Sequence, residues 1–124
     1  IMAGKIVADQ LEHSTAGSIA TNFVVEGSAK MVIDASQDPQ GINDSFNVSS
    51  IADGGTGKTE ATLTNVHSTV NYAPVHSVHS GNNRRITVIS HTASVVKYEC
   101  FQESTYNNAA DAAGISGNTH GDLA

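Results

Sequence analysis

The chain has 124 residues, a length typical of one domain with a modest core and too short for two. Its apolar residues are mostly β-branched, with 12 Val and 9 Ile against 3 Leu, which favours strands over helices. The formal net charge of −6 argues against a nucleic-acid partner, because binding to phosphates needs clustered Lys and Arg.

The first part of the chain differs in composition from the rest. A short apolar cluster of Ile6, Val7 and Leu11 is followed by small and polar residues that leave no material for a core. This pattern favours an extended arm over a single short helix, and a segment of this kind becomes ordered when a partner buries it. We therefore predict Ile6, Val7 and Leu11 as partner-binding anchors.

From Asn22 onward, short strand-like runs alternate with turn clusters, which is the pattern of a sandwich or barrel. Strands are predicted at 23–25, 30–35, 45–51, 59–66, 69–79, 85–91 and 94–101. A loop with room for one helical turn is predicted at 102–114, followed by an extended segment at 115–124. The fold class is thus predicted to be all-β, an antiparallel β-sandwich that is jelly-roll-like or barrel-like.

The expected organisation has two parts. Residues 1–21 form an extended N-terminal attachment arm, and residues 22–124 form the β-sandwich head. No apolar run approaches the length needed to cross a membrane, so we expect no membrane insertion, and the polar start predicts no signal peptide.

Period-two alternation identifies core positions within the predicted strands. Thr59, Ala61 and Leu63 share one face, and Cys100 shares another with Val96 and Tyr98, which predicts a buried, unreactive cysteine. Pro74 interrupts the run at 69–79 and predicts an edge strand or a bulge, because proline cannot donate to a ladder.

One segment imitates a nucleotide-binding loop. Residues 52–59, ADGGTGKT, match a relaxed phosphate-binding pattern. Such a loop holds phosphates at the start of a helix, whereas here the following residues, EATLT, alternate as a strand. We therefore expect a glycine-rich hairpin and no nucleotide cofactor.

The six histidines and the many serines do not form a recognisable catalytic or metal-binding pattern. His76 and His79 are three apart, so on a strand they point to opposite faces and cannot chelate one ion without a bulge. The stretch GISG at 114–117 lacks the spacing of a nucleophile elbow. We expect neither enzymatic activity nor a metal or other cofactor.

Several stretches, spread in order over most of the chain, resemble short bacteriophage proteins of the tail-fibre or minor structural class. They are QLEHSTAGS at 10–18, NFVVEGSAK at 22–30, INDSFNVSS at 42–50, DGGTG at 53–57 and GDLA at 121–124. Many relatives carry a tryptophan-containing segment where this chain has Met31-Val32-Ile33-Asp34, so any role of that aromatic does not carry over.

The resemblance implies a virion protein, made in the cytoplasm of the host bacterium, that is a tail fibre or a host-contact module. Two alternatives stay open: a capsid decoration or cement protein that stabilises the head, and a carbohydrate-binding module. The expected partners are other copies of the chain in a homotrimer, other virion proteins, and a glycan or protein of the host surface. The homotrimer is expected by analogy with phage appendages and because a small, aromatic-poor core gains from oligomerisation.

Overall fold

The computed structural model describes residue 4 and residues 6–80, 83–102 and 108–124. The described part contains eleven strands and one helix. In chain order they are β1 (Gln10–His13), β2 (Gly17–Ala20), α1 (Thr21–Gly27), β3 (Met31–Gln37), β4 (Gln40–Phe46), β5 (Val48–Asp53), β6 (Lys58–Leu63), β7 (Ala73–Ser80), β8 (Arg84–His91), β9 (Val95–Gln102), β10 (Asn108–Ala109) and β11 (Gly114–His120).

Two antiparallel sheets form the body of the molecule. In the first, β9 pairs along one edge with β8 and along the other with β6 and the short β10, and β5 completes the sheet beside β6. The second sheet has the order β4-β3-β11-β7. The chain crosses between the sheets after β4, β6, β7 and β10. The predicted all-β, antiparallel sandwich class is confirmed.

The core lies between the facing sides of the two sheets. Alternate residues of the central strands are buried, as the period-two pattern predicted for Thr59, Ala61 and Leu63. The other large buried side chains include Met31, Ile33, Val96, Tyr98, Cys100 and Ile115. Tyr98 of the first sheet reaches the backbone of the second, since a Cβ atom on Gly117 would lie 2.9 Å from its hydroxyl oxygen.

Gln37 joins the two sheets by hydrogen bonds inside the core. Its amide nitrogen donates to the carbonyl oxygen of Gly57 at 2.7 Å and to the hydroxyl of Thr59 at 3.1 Å. Its amide oxygen accepts from the backbone N–H of Ala112 at 2.9 Å. A buried amide is tolerated when its bonds are made, and here they fix β3 relative to β6.

The described N-terminal residues are not an extended arm, and the strand predicted at 23–25 is wrong. Residues 10–20 form the hairpin β1–β2, and Phe23, Val24 and Val25 belong to α1. The predicted boundary between residues 21 and 22 therefore falls at the start of the helix. We call residues 6–27 the N-terminal unit.

Local hydrogen bonds explain this difference. The imidazole Nδ1 of His13 accepts from the backbone N–H groups of Thr15 and Ala16, at 3.3 and 3.2 Å, which closes the hairpin turn. Thr21 donates from its backbone to the carbonyl oxygen of Asp9 at 2.9 Å and from its hydroxyl to that of Ala8 at 2.6 Å. These bonds fold the first turn of α1 back onto the chain before β1, so they override the strand preference of Val24-Val25.

Two further differences concern strand boundaries. The single strand predicted at 45–51 is two strands, because Asn47 has a φ of 58° and separates β4 from β5. The Asn47 amide bridges the chain there, since it donates to the carbonyl oxygens of Lys30 and Asn65 and accepts from the N–H of Asn65. No helical turn forms within the described residues 108–113, where β10 adds to β9 instead.

The other predicted strands occur with shifted bounds, and the run predicted at 69–79 becomes a strand only from Ala73. Pro74 lies in β7, at the edge of the second sheet, as predicted. Within the described residues, α1 is far shorter than the apolar helix that a membrane crossing requires.

Candidate functional site

The N-terminal unit exposes every large apolar side chain that it carries. They are Ile6, Val7, Leu11, Ile19, Phe23, Val24 and Val25. Ile6 is 91% exposed and Leu11 48%, and no residue of α1 is buried. A two-stranded hairpin is at best marginally stable alone, and an exposed apolar cluster of this density is a candidate interaction surface.

A groove of about 490 Å³ runs between the chain before β1 and the helix. Ile6, Val7 and Leu11 line one side of it, and Val24 and Val25 line the other. The structure thus brings the three predicted anchors together and adds two residues that the sequence had assigned to a strand. Fully burying a Val, Leu or Ile side chain stabilises a complex by roughly 1.5–3 kcal/mol, so this groove could hold a partner firmly. Partner binding by these residues stays a prediction.

Lys30 connects the N-terminal unit to the sandwich. Its side chain is buried, and its ammonium group donates to the carbonyl oxygen of Val25 and, at 2.7 Å, to the hydroxyl of Ser28. Its backbone N–H donates to Thr119 of β11 at 2.7 Å. The cation therefore sits at the C-terminal end of α1, where the helix dipole favours positive charge, and it holds the helix against the sandwich.

The C-terminal end of the chain closes over a buried histidine. His67 is 1% exposed, and its Nε2 lies 2.9 Å from the hydroxyl oxygen of Thr119. Its Nδ1 lies 3.3 Å from the carbonyl oxygen of Asp122, and its backbone pairs with Leu123. Burial lowers the pKa of His67 first, and the nearby charges of Lys30 and His91 lower it further, while the Asp122 carbonyl opposes the shift. His67 is therefore neutral at physiological pH.

A second cluster, on the solvent side of the second sheet, escaped the sequence analysis. The carboxylate of Asp34 in β3 lies 3.2 Å from the Nε2 of His79 in β7. The hydroxyls of Ser77 and Ser116 lie 2.9 Å apart, and among the described residues neither bonds the imidazole. Serine attack needs a base within hydrogen-bond reach of the hydroxyl, so these contacts do not form a triad. The period-two alternation of the sequence shows which residues of β3 and β11 share a face. It does not show that these two strands pair with each other.

The predicted orientation of His76 and His79 is confirmed. His76 points into the sandwich, where its Nε2 lies 3.1 Å from the carbonyl oxygen of Ile86, and His79 points out toward Asp34. No group of three or more His, Cys, Asp or Glu side chains suited to a metal occurs within the described ranges. Cys100 is buried as predicted, and burial raises the pKa of its thiol to about 11, so the thiol stays protonated.

The segment that imitates a phosphate-binding loop joins two strands, as predicted. It connects β5 to β6, so no helix begins at Lys58. The Lys58 ammonium lies 3.7 Å from the Glu99 carboxylate on β9. Gly57 has a φ of 73°, and a Cβ there would lie 2.5 Å from the carbonyl oxygen of Cys100. The positive φ and the close approach of the Cys100 carbonyl therefore explain why glycine occupies position 57, without any phosphate.

Comparison of the chain with models of protein families, with curated protein sequences and with solved structures gave no match. The resemblance to bacteriophage tail-fibre proteins therefore stays a prediction from the residues quoted above.

Proposed function

We propose that this protein is a structural component of a bacteriophage particle, attached by its N-terminal unit and presenting the sandwich to the host as a tail-fibre-type contact module. The single observation that carries the proposal is the exposure of all seven large apolar side chains of the N-terminal unit, beside a sandwich that buries its own core. The sequence resemblance supplies the phage context, and the exposed unit supplies a means of attachment.

The sandwich and the N-terminal unit have different proposed roles because only the sandwich has a core of its own. The sandwich closes its core with its own strands and with the cross-sheet bonds of Gln37, so it folds without a partner in this account. The N-terminal unit has no such core, and a groove lined by Ile6, Leu11 and Val24 is open along it. Burying that groove against another virion protein would order the unit and fix the sandwich at the particle surface.

Several copies would strengthen the attachment. Each binding event must offset the cost of ordering the unit, and linked copies raise the effective concentration of the second and third contacts. A homotrimer, the symmetry proposed from phage appendages, would bring three N-terminal units to one site on the particle.

The experiment is identification and localisation of the chain in purified phage particles. Mass spectrometry of gradient-purified particles from the source culture should detect the chain, and gold-labelled antibody against the sandwich should mark the tail. Labelling spread over the capsid would replace the tail-fibre assignment with the decoration or cement role. A chain recovered from cells and absent from particles would contradict the proposal.

A further inference from the structure

The solvent side of the second sheet carries two side-chain rows that the proposed attachment does not use. Strand register places Val32 of β3, Phe46 of β4, Val75 of β7 and Asn118 of β11 side by side across the sheet. The next row contains Asp34, Asp44, Ser77 and Ser116. We call these eight residues the outer face.

Three of the four residues in the first row are apolar and open to solvent. Phe46 is 62% exposed, and Val32 and Val75 are exposed on either side of Asn118. An exposed phenyl ring beside an aliphatic side chain offers a flat surface against which the C–H groups of a ligand can pack. Isolated exposed apolar residues need no explanation, but these three lie in one row, on β4, β3 and β7.

The second row is polar, and its hydrogen-bond network fixes one carboxylate in place. The Oδ1 atom of Asp34 accepts from the amide of Asn43 at 3.0 Å and lies 3.2 Å from the Nε2 of His79. The hydrogen bond from Asn43 is the main reason that the pKa of Asp34 is lowered, with His79 contributing, so the side chain stays an acceptor at neutral pH.

Gly114 makes this arrangement possible. A Cβ atom at Gly114 would lie 2.4 Å from the His79 ring, so only a residue without a side chain lets the imidazole cross β11 to reach Asp34. A β-bulge between Gly114 and Ile115 shifts the register there. The position of the carboxylate is thus built into the backbone of the neighbouring strands.

The residues of the two rows that lie on β3, β11 and β7 line a concavity of about 240 Å³, and Phe46 of β4 lies beside it, next to Val32. Its lining includes Val32, Asp34, Val75, Ser77, Ser116 and Asn118. Apolar walls with a few fixed polar groups are the usual composition of a small-molecule site.

We propose that the outer face binds a neutral saccharide, whose hydroxyl groups donate to Asp34 and the neighbouring serines while its C–H face packs against Phe46 and Val32. A sugar hydroxyl is both donor and acceptor, and so is a serine hydroxyl, whereas an ionised carboxylate only accepts. The combination of an apolar row beside an acceptor-rich row matches a ring that has one C–H face and hydroxyls at its rim.

The charge of the outer face argues against other occupants. The strands β3, β4, β7 and β11 contain no Lys or Arg to pair with a phosphate or sulfate, and the outer face carries two carboxylates that repel an anion. A second copy docked face to face would oppose Asp34 and Asp44 with the same carboxylates of its partner, a like-charge juxtaposition that costs binding energy. The saccharide site lies on the sandwich, so it does not depend on attachment through the N-terminal unit.

The test is titration of the full-length, ¹⁵N-labelled protein with methyl glycosides of glucose, galactose, mannose and N-acetylglucosamine, monitored by amide chemical shifts. At least one probe should shift amides of β3, β7 and β11 with a Kd on the order of 1 mM, which is typical of a single shallow contact. Phe46→Ala and Asp34→Ala should each weaken that binding about tenfold, corresponding to roughly 1.4 kcal/mol. The matched control is Ile89→Ala, which removes a comparably exposed side chain from β8 of the other sheet and should leave the Kd unchanged.

The spectra also report whether each variant is folded, so loss of binding and loss of structure are separable. The proposal is overturned if none of the four probes shifts these amides at about 50 mM, or if the shifts map to another surface. Tighter binding of glucose 6-phosphate than of methyl glucoside would likewise overturn it. These outcomes are independent of particle attachment, which is tested on phage.

Discussion

The ring of His67 lies flat against that of Tyr72, with centroids 3.8 Å apart and planes inclined by 14°. The ring of His91 also contacts Tyr72, in an edge-on arrangement with the centroids 4.8 Å apart. The Tyr72 hydroxyl donates to the carbonyl oxygen of Thr92 at 2.7 Å. The stack therefore links the loop after β6, the C-terminal segment and the hairpin between β8 and β9 through one neutral imidazole.

Because of this burial, stability should fall as the pH drops below about 6.5, the ordinary pKa of histidine. The pKa of His67 is lowered in the folded protein, so the unfolded chain takes up a proton that the folded chain does not. The loss begins near pH 6.5 and stops increasing below the folded pKa. The urea concentration at the unfolding midpoint should therefore fall as the pH is lowered from about 7.5 to about 5, a range in which neighbouring carboxylates stay ionised.

Replacement of the imidazole isolates its contribution. His67→Gln should unfold at a lower urea concentration at neutral pH and should flatten the dependence on pH between these limits. His120→Gln, at the end of β11, is the control and should keep the slope of the original protein. An unchanged slope in His67→Gln would show that the acid sensitivity has another cause.

Removal of the Gln37 side chain should cost about 2 kcal/mol of unfolding free energy, because Gln37→Ala leaves the buried N–H of Ala112 without its partner. The carbonyl of Gly57 loses one of its two donors and keeps the N–H of Cys100 at 2.7 Å. The half-buried Gln40 makes one comparable bond, to Thr59 at 3.0 Å, so Gln40→Ala should cost under about 1 kcal/mol. Denaturant titration of both variants measures the difference, and equal costs would contradict a cross-sheet role for Gln37.

The contact between Tyr98 and Gly117 predicts a rescue experiment. Gly117→Ala should destabilise the protein by roughly 1–3 kcal/mol, since the new Cβ would lie 2.9 Å from the Tyr98 hydroxyl. That buried hydroxyl has no hydrogen-bond partner within the described ranges, so Tyr98→Phe should be neutral or stabilising by up to about 1 kcal/mol. The double variant should recover part of the loss in differential scanning calorimetry. If the effects of the two substitutions on stability simply add, the strain in Gly117→Ala arises at the Val75 carbonyl oxygen, 3.1 Å from the new Cβ, and not at Tyr98.

Period-two alternation was sufficient to predict the sandwich class and most of its strands. Val96, Tyr98 and Cys100 are buried in phase, and Pro74 lies on an edge strand, because side-chain burial and the missing proline donor are local properties. The hairpin and α1 were not predicted, since the bonds from Thr21 to Asp9 and Ala8 join residues far apart in sequence. Ile6, Val7 and Leu11, predicted from the sequence as partner-binding anchors, are exposed in the structure, and their burial by a partner stays a prediction.

The cluster on the outer face also could not be predicted from the sequence. Asp34 and Ser116 are adjacent through the register of β3 and β11, which are separated by most of the chain. His79 reaches Asp34 through a bulge and a glycine, neither of which alternation reveals. Residue types alone therefore suggested dispersed serines and histidines where the fold assembles a cluster.

Attachment through the N-terminal unit is most directly tested by measuring incorporation into phage particles of a chain that lacks residues 1–27. We predict that the remaining sandwich folds, with a melting temperature within a few degrees of the full-length protein and the same oligomeric state, but is absent from purified particles. The full-length double variant Leu11→Asn with Val24→Asn should also fail to incorporate, whereas Ile89→Asn, exposed to a similar degree on the sandwich, should incorporate normally. Normal incorporation of the truncated chain would contradict attachment through the N-terminal unit, and its unfolding or dissociation would show that this unit belongs to the core or to the subunit interface.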